Sequence, residues 1–204
     1  MDFGIISRTL GLILIAESIL MLPSLGMSAY YGEGDSSAFI VAITLTLVAG
    51  LIGFSFKPKG DTVGYREGFM IVSLGWFLAS LFGAIPFFAA NTFSSFVDAF
   101  FETVSGFTTT GASVLADIEG QPHGILFWRS FTHWLGGMGI LVFTLALLPA
   151  MGMGTIQIFK AESPGPTPGR IVPKIAHTAK ILYAIYFFIS VIQVLALKAA
   201  GMSM

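Results

Sequence analysis

The sequence predicts an all-α protein that crosses a membrane several times, and two observations carry that expectation. Only 10% of its 204 residues are charged, 55% are apolar, and mean hydropathy is +0.86. A soluble domain carries about 25% charge, so this chain cannot cover a water-facing surface. The apolar residues also gather in uncharged runs of membrane length. Four classes drop out at once. Ten Lys and Arg nearly cancel eleven Asp and Glu, which excludes a nucleic-acid binder driven by net charge. The lack of cysteine excludes a disulfide scaffold, thiolate metal sites and cysteine nucleophiles.

A helix rising ~1.5 Å per residue needs ~20 residues to cross the hydrocarbon core, and five stretches qualify. The first, Phe3 to Leu25, contains Arg8 and Glu17 and is expected to end at Pro23, Gly26 and a polar run. Arg8 ahead of an apolar core also fits a cleaved signal peptide, but Glu17 within that core and the lack of an A-x-A site favour a retained helix. Glu17 itself is expected to pair inside the protein or to snorkel. The second stretch, Ala38 to Phe56, stops at Lys57-Pro58-Lys59. The third begins after Glu67 and finishes near Ala90, behind Pro86. The fourth, Gly124 to Leu148, carries Arg129 and His133 near its start, and the fifth, Ile181 to Leu197, lies between Lys180 and Lys198.

Basic residues accumulate in short cytoplasmic loops. Lys57, Lys59 and Arg66 fall between the second and third spans, and Lys160, Arg170, Lys174 and Lys180 between the fourth and fifth. Placing both loops inside puts the N-terminus inside and sends Glu33, Asp35, Asp117 and Glu119 to the outer loops.

Between the third and fourth spans, Asn91 to Gln121 is too interrupted to cross. Ser95 to Asp98 reads as a capping box. Phe96, Val97, Phe100, Phe101, Val104 and Phe107 then follow at helical spacings, which makes a helix of about three turns. The β-branched run Thr108-Thr109-Thr110 opposes further helix and favours extended backbone, and Gly111 is free to take positive φ. A short helix returning as an extended strand exposes backbone carbonyls, which membrane depth tolerates only along a watery path or inside protein. The helix also turns its negative dipole end toward the Thr run, which favours a cation there. An outer turn after a surface helix would use the same Thr and Gly residues; the flanking spans tilt the balance toward a pore loop.

Three motifs now resemble those of the Trk/Ktr potassium-uptake family. Phe101-Glu102-Thr103-Val104-Ser105-Gly106-Phe107-Thr108-Thr109-Thr110-Gly111-Ala112 is similar to its first pore loop, and Trp128-Arg129-Ser130-Phe131-Thr132-His133-Trp134-Leu135-Gly136-Gly137-Met138-Gly139-Ile140 to the helix that follows. Ala161-Glu162-Ser163-Pro164-Gly165-Pro166-Thr167 and Thr178-Ala179-Lys180 are similar to its next cytoplasmic loop. The family builds one pore from four helix, pore loop, helix repeats. The resemblance therefore implies a two-helix preface (1–60), one repeat (61–150), a cytoplasmic loop (151–175) and the first helix of a second repeat (176–204).

It further implies potassium as transported ion, with backbone oxygens of Thr109 and Thr110 coordinating it, Gly111 as filter glycine and Thr108 as a further ligand. A bacterial cytoplasmic-membrane location, a homodimer of the full-length protein, surrounding lipid and a cytosolic nucleotide-binding regulatory subunit follow from the same resemblance. One loop supplies a quarter of such a filter. A homotetramer of short chains and a non-transporting assembly subunit therefore stand as alternatives to the N-terminal part of a transporter.

The other constellations point away from enzymes. Gly137-x-Gly139 lies in a spanning helix and lacks the third glycine of a dinucleotide fingerprint, so Gly136, Gly137 and Gly139 read as a close-approach surface for another helix. His123, His133 and His177 have no metal-ligand spacing, and no nucleophile triad or Walker loop is present. Arg129 is expected to pair with Glu102 or Asp98 and brace the short helix.

Overall fold

The computed structural model describes residues 2–58, 64–147 and 171–201. Every regular element among them is helical: α1 (Phe3–Leu20), α2 (Leu22–Tyr31), α3 (Ser36–Phe54), α4 (Tyr65–Gly83), α5 (Ile85–Ala89), α6 (Phe96–Phe107), α7 (His123–Leu147) and α8 (Ile171–Ala199). Among the described residues, four helical stretches are long and apolar enough to cross a membrane: Phe3–Tyr31, Ser36–Phe54, Arg66–Ala89 and Lys180–Ala199. They match the first, second, third and fifth expected spans. The fourth corresponds to α7, whose 25 residues reach about 38 Å at helical rise.

The chain divides into two compact units, Met1–Gly137 and Met138–Met204. In the second, α8 starts ten residues ahead of the expected Ile181, so helix occupies the end of the segment read as loop. No described side chain from Lys180 to Ala199 is buried. The loop motif at Ala161 to Thr167 lies outside the described residues.

In the first unit, the opening span runs past its expected end. Asp2 caps α1 by accepting from the Gly4 and Ile5 amides. Pro23 does not terminate the helical run. It sits in the first turn of α2, where its missing N–H has no partner to lose, and helix continues until Gly32, in the left-handed region at φ 66°, ends it.

α1 packs most extensively against α3. Glycines permit the approach: a Cβ on Gly11 would lie 2.6 Å from the Gly50 carbonyl oxygen, and one on Gly50 would lie 2.9 Å from the Ile15 amide nitrogen. The outer face of α3 exposes Ile40, Val41, Leu45, Val48, Leu51 and Ile52, an arrangement suited to lipid.

Pro86 breaks the third span at Ala84, separating α4 from α5. The break leaves the Gly83 carbonyl to the indole of Trp128, whose Nε1 donates to it at 2.9 Å. Trp128 is fully buried, and with Met21, Phe39, Phe87, Phe107 and Ile125 it forms the centre of the core.

Glu17 departs from both expectations, because it neither pairs nor snorkels. It is 4% exposed, and neither carboxyl oxygen has a hydrogen-bond partner among the described residues. It faces the α4/α5 junction, with Oε1 3.0 Å from where a Gly83 Cβ would be. A buried polar group without a partner is a net cost. Glu17→Met, similar in length and apolar, is expected to raise stability by about 1–3 kcal/mol, read as a higher thermal midpoint of the purified protein in detergent. A lower midpoint would show that the carboxyl contributes favourably.

Candidate functional site

The site is built on α6. Ser95 caps it, its hydroxyl oxygen accepting from the Val97 amide at 3.2 Å, while no reciprocal bond from Asp98 occurs among the described residues. The helix has the expected three turns, and the apolar stripe is split by burial: Phe107 is in the core and Phe96 and Phe100 pack against it, while Val97 and Phe101 face out. Ala99, Glu102, Thr103, Ser105 and Gly106 point inward beside Phe107. In an apolar solvent a phenylalanine gains little by turning inward, so close packing by small residues decides the orientation.

That packing is specific. A Cβ on Gly106 would lie 3.0 Å from Thr132 Cβ on α7. A Cβ on Gly136, one helical turn further along α7, would lie 2.7 Å from the Phe107 carbonyl carbon and 2.9 Å from the Gly106 carbonyl oxygen. The last turn of α6 thus rests directly on the glycine face of α7. Of the glycines expected to form a close-approach surface, Gly136 is the one seen to seat this helix.

The Thr run does not leave α6 as an extended strand. Thr108 retains helical geometry and Thr109 turns left-handed at φ 56°. The Thr109 amide donates to the Gly106 carbonyl and the Thr110 amide to the Ser105 carbonyl, each at 2.9 Å. This is the paired bonding of a Schellman cap, with threonine in the position that glycine usually fills. A β-branched residue pays about 1–2 kcal/mol to be there, so the surrounding bonds over-determine the turn. Chain direction changes again at Gly111, φ 76°.

Thr108 to Gly111 are all exposed. The Thr108 hydroxyl donates to the Val104 carbonyl at 2.7 Å and lies 2.8 Å from the Thr110 hydroxyl, and the Thr109 hydroxyl donates to the Thr108 carbonyl. The carbonyls of Thr109, Thr110 and Gly111 accept no hydrogen bond among the described residues. The result is an exposed row of strong acceptors at the negative end of a helix, an arrangement able to replace part of a cation's water shell.

Behind this row lies Glu102, 1% exposed. Of the two carboxylates open to Arg129, Glu102 takes it, with Nε 2.6 Å from Oε1. The same carboxylate accepts the Ser113 hydroxyl at 2.9 and 3.0 Å and the Val114 amide at 3.1 Å. It therefore ties α6 both to α7 and to the irregular segment that returns from Gly111. Residue types alone suggested the arginine, but neither Ser113 nor Val114 carried a signal along the chain.

The connection between α2 and α3 contributes a second tether. Glu33 accepts the His123 amide at 2.6 Å, and its other oxygen lies 2.8 Å from the His123 ring, which stacks on Tyr31 at 3.8 Å. The backbone hydrogen bond from His123, then the ring contact, hold the Glu33 carboxyl below its ordinary range. Asp35, bonded to the Ser28 hydroxyl, places Oδ2 inside contact distance of where a Gly124 Cβ would be. Two carboxylates thus sit at the positive end of α7. His133 bonds within its own helix, Nδ1 to the Arg129 carbonyl at 2.9 Å, and the His177 side chain lies outside the described residues.

Membrane-length apolar helices, with a capped short helix among them in the sequence, define a multi-pass helical membrane protein. The family model described as "TrkH: Cation transport protein" matches residues 35–202. The chain belongs to the TrkH family of cation transport proteins. It is 42% identical to the Trk system potassium uptake protein TrkH of Salmonella typhimurium, covering 99% of this chain and 42% of that protein. It is 38% identical to the TrkH of Halomonas elongata, covering 100% and 43%. Its fold matches the crystal structure of the potassium transporter TrkH from Vibrio parahaemolyticus with a TM-score of 0.85 at 36% identity, over 100% of this chain and 41% of that one. The chain thus spans less than half the length of these relatives.

Proposed function

We propose that this chain carries the first pore-loop repeat of a potassium-uptake protein, and that the carbonyls of Thr109, Thr110 and Gly111, with Thr108 at the helix cap, coordinate the ion during passage. The observation that carries the reading is the row of unpartnered carbonyls at the C-terminal end of α6. Relatives named for potassium uptake support potassium as the ion, and transport in this reading is passage of cargo with no bond made or broken. The basic residues flanking α3, α4 and α8 favour a cytoplasmic N-terminus in a bacterial cytoplasmic membrane. Assembly as a homodimer with a cytosolic nucleotide-binding regulatory subunit belongs to the same proposal, as do the bracing roles of Glu102 and Arg129.

The test is uptake by the complete gene product in a bacterial strain lacking potassium uptake. Growth on low potassium is expected, and Gly111→Ser should cut initial uptake about tenfold. Nothing lies within 4 Å of a Cβ at Gly111, so the loss would come from its left-handed backbone, which serine disfavours by about 1–2 kcal/mol. Gly111→Asn, better tolerated at positive φ, should retain more. Growth of the Gly111→Ser strain equal to the parent, or no growth despite good membrane insertion of the parent, would refute the reading.

A further inference from the structure

The carbonyl row stops abruptly. Thr109, Thr110 and Gly111 accept nothing among the described residues, yet the next carbonyl, that of Ala112, accepts the Ser105 hydroxyl at 2.5 Å. Ser105 also holds the row from its other end, since its own carbonyl accepts the Thr110 amide at 2.9 Å. One residue of α6 therefore grips the loop on both sides of Gly111, by backbone before it and by side chain after it.

Its placement makes the grip firm. Ser105 is 4% exposed and lies on the buried face of the last turn of α6, whose following residues rest on Gly136. The two bonds bracket Gly111, a residue of great backbone freedom. Without the hydroxyl, the exposed Ala112 carbonyl would be released and the peptide between Ala112 and Ser113 could rotate.

We infer that Ser105 is a positioning residue that ends the ion-coordinating row at Gly111 by withdrawing the Ala112 carbonyl from it. This rests on the proposed ion passage along Thr109 to Gly111. Ser105 acts through the peptide it holds and touches no ion. Selectivity follows from the number and spacing of available carbonyls, so a freed fourth carbonyl changes which ion fits.

The measurement is the ratio of initial potassium to sodium uptake by the complete gene product in the uptake-deficient strain, normalised to protein in the membrane. Ser105→Ala is expected to lower that ratio about fivefold, as loss of one hydrogen bond near 1 kcal/mol implies. Ser105→Thr, which keeps a hydroxyl, should restore most of it. A general loosening of the fold would lower both uptake rates together and leave the ratio unchanged.

A parental ratio in Ser105→Ala would overturn the inference. If that variant fails to reach the membrane, Ser105→Cys, near in size and a weak donor, decides instead: a reduced ratio supports the role and a parental one overturns it. Gly111→Ser run alongside separates the two readings. If it cuts uptake about tenfold while the Ser105 variants keep the parental ratio, only the positioning role fails. If it transports normally, the proposed path itself fails.

Discussion

Gly136→Ala is expected to unseat α6 and to cost the protein about 3 kcal/mol or more, at the upper end of overpacking penalties. The added methyl would fall 2.7 Å from the Phe107 carbonyl carbon and 2.9 Å from the Gly106 carbonyl oxygen. Both are backbone atoms, so no rotamer change can relieve the clash. Either α7 retreats or the last turn of α6 moves, and that turn carries the Schellman cap that sets Thr109 and Thr110. Thermal unfolding in detergent and the amount of protein recovered from the membrane report the effect. Gly68→Ala is the matching control, because a Cβ there meets nothing within 4 Å and alanine favours helix; it should be neutral or slightly stabilising. A Gly136→Ala protein as stable as that control would exclude the close seat.

Arg129→Met is expected to be comparably damaging, about 3–5 kcal/mol, because it strands a charged partner in the interior. The Glu102 side chain is 1% exposed against 19% for Arg129, so the carboxylate has no route to water when the guanidinium is gone. The second substitution gives the discriminating result. Glu102→Gln removes the negative charge but keeps an amide oxygen that can accept from Ser113 and Val114. The double variant Glu102→Gln/Arg129→Met should therefore be more stable than Arg129→Met alone, a coupling of the kind a double-mutant cycle isolates. Strictly additive losses in unfolding midpoint would exclude the pair as a stabilising unit.

These predictions rest on contacts of unequal legibility. The break before Pro86 was readable because proline removes a donor wherever it stands. The short helix after Ser95 was readable from its cap and length. The same reasoning failed at Pro23, since proline in a first turn permits helix as readily as proline in an interior ends it. Spacing alone did not say which members of the α6 stripe turn inward: Phe107 is buried, whereas Val97 and Phe101 are exposed. Thr109 was expected to extend and instead closes the helix, because two backbone bonds to Gly106 and Ser105 outweigh a local preference of about 1–2 kcal/mol.

What the sequence by itself determined is the solvent, the number of long apolar runs and the place of one short helix followed by threonines and a glycine. Those properties are sums over neighbouring residues, so they survive without knowledge of anything distant. Tertiary structure alone decided which face of α6 turns inward, that Glu102 also holds Ser113 and Val114, that Glu17 stands without a partner among the described residues, and that the Ala112 carbonyl is taken by Ser105. Lipid removes the penalty on exposed apolar surface that orients a helix in water. Orientation then follows from backbone approach at glycine and from the satisfaction of buried polar groups, and both depend on residues far apart in the chain.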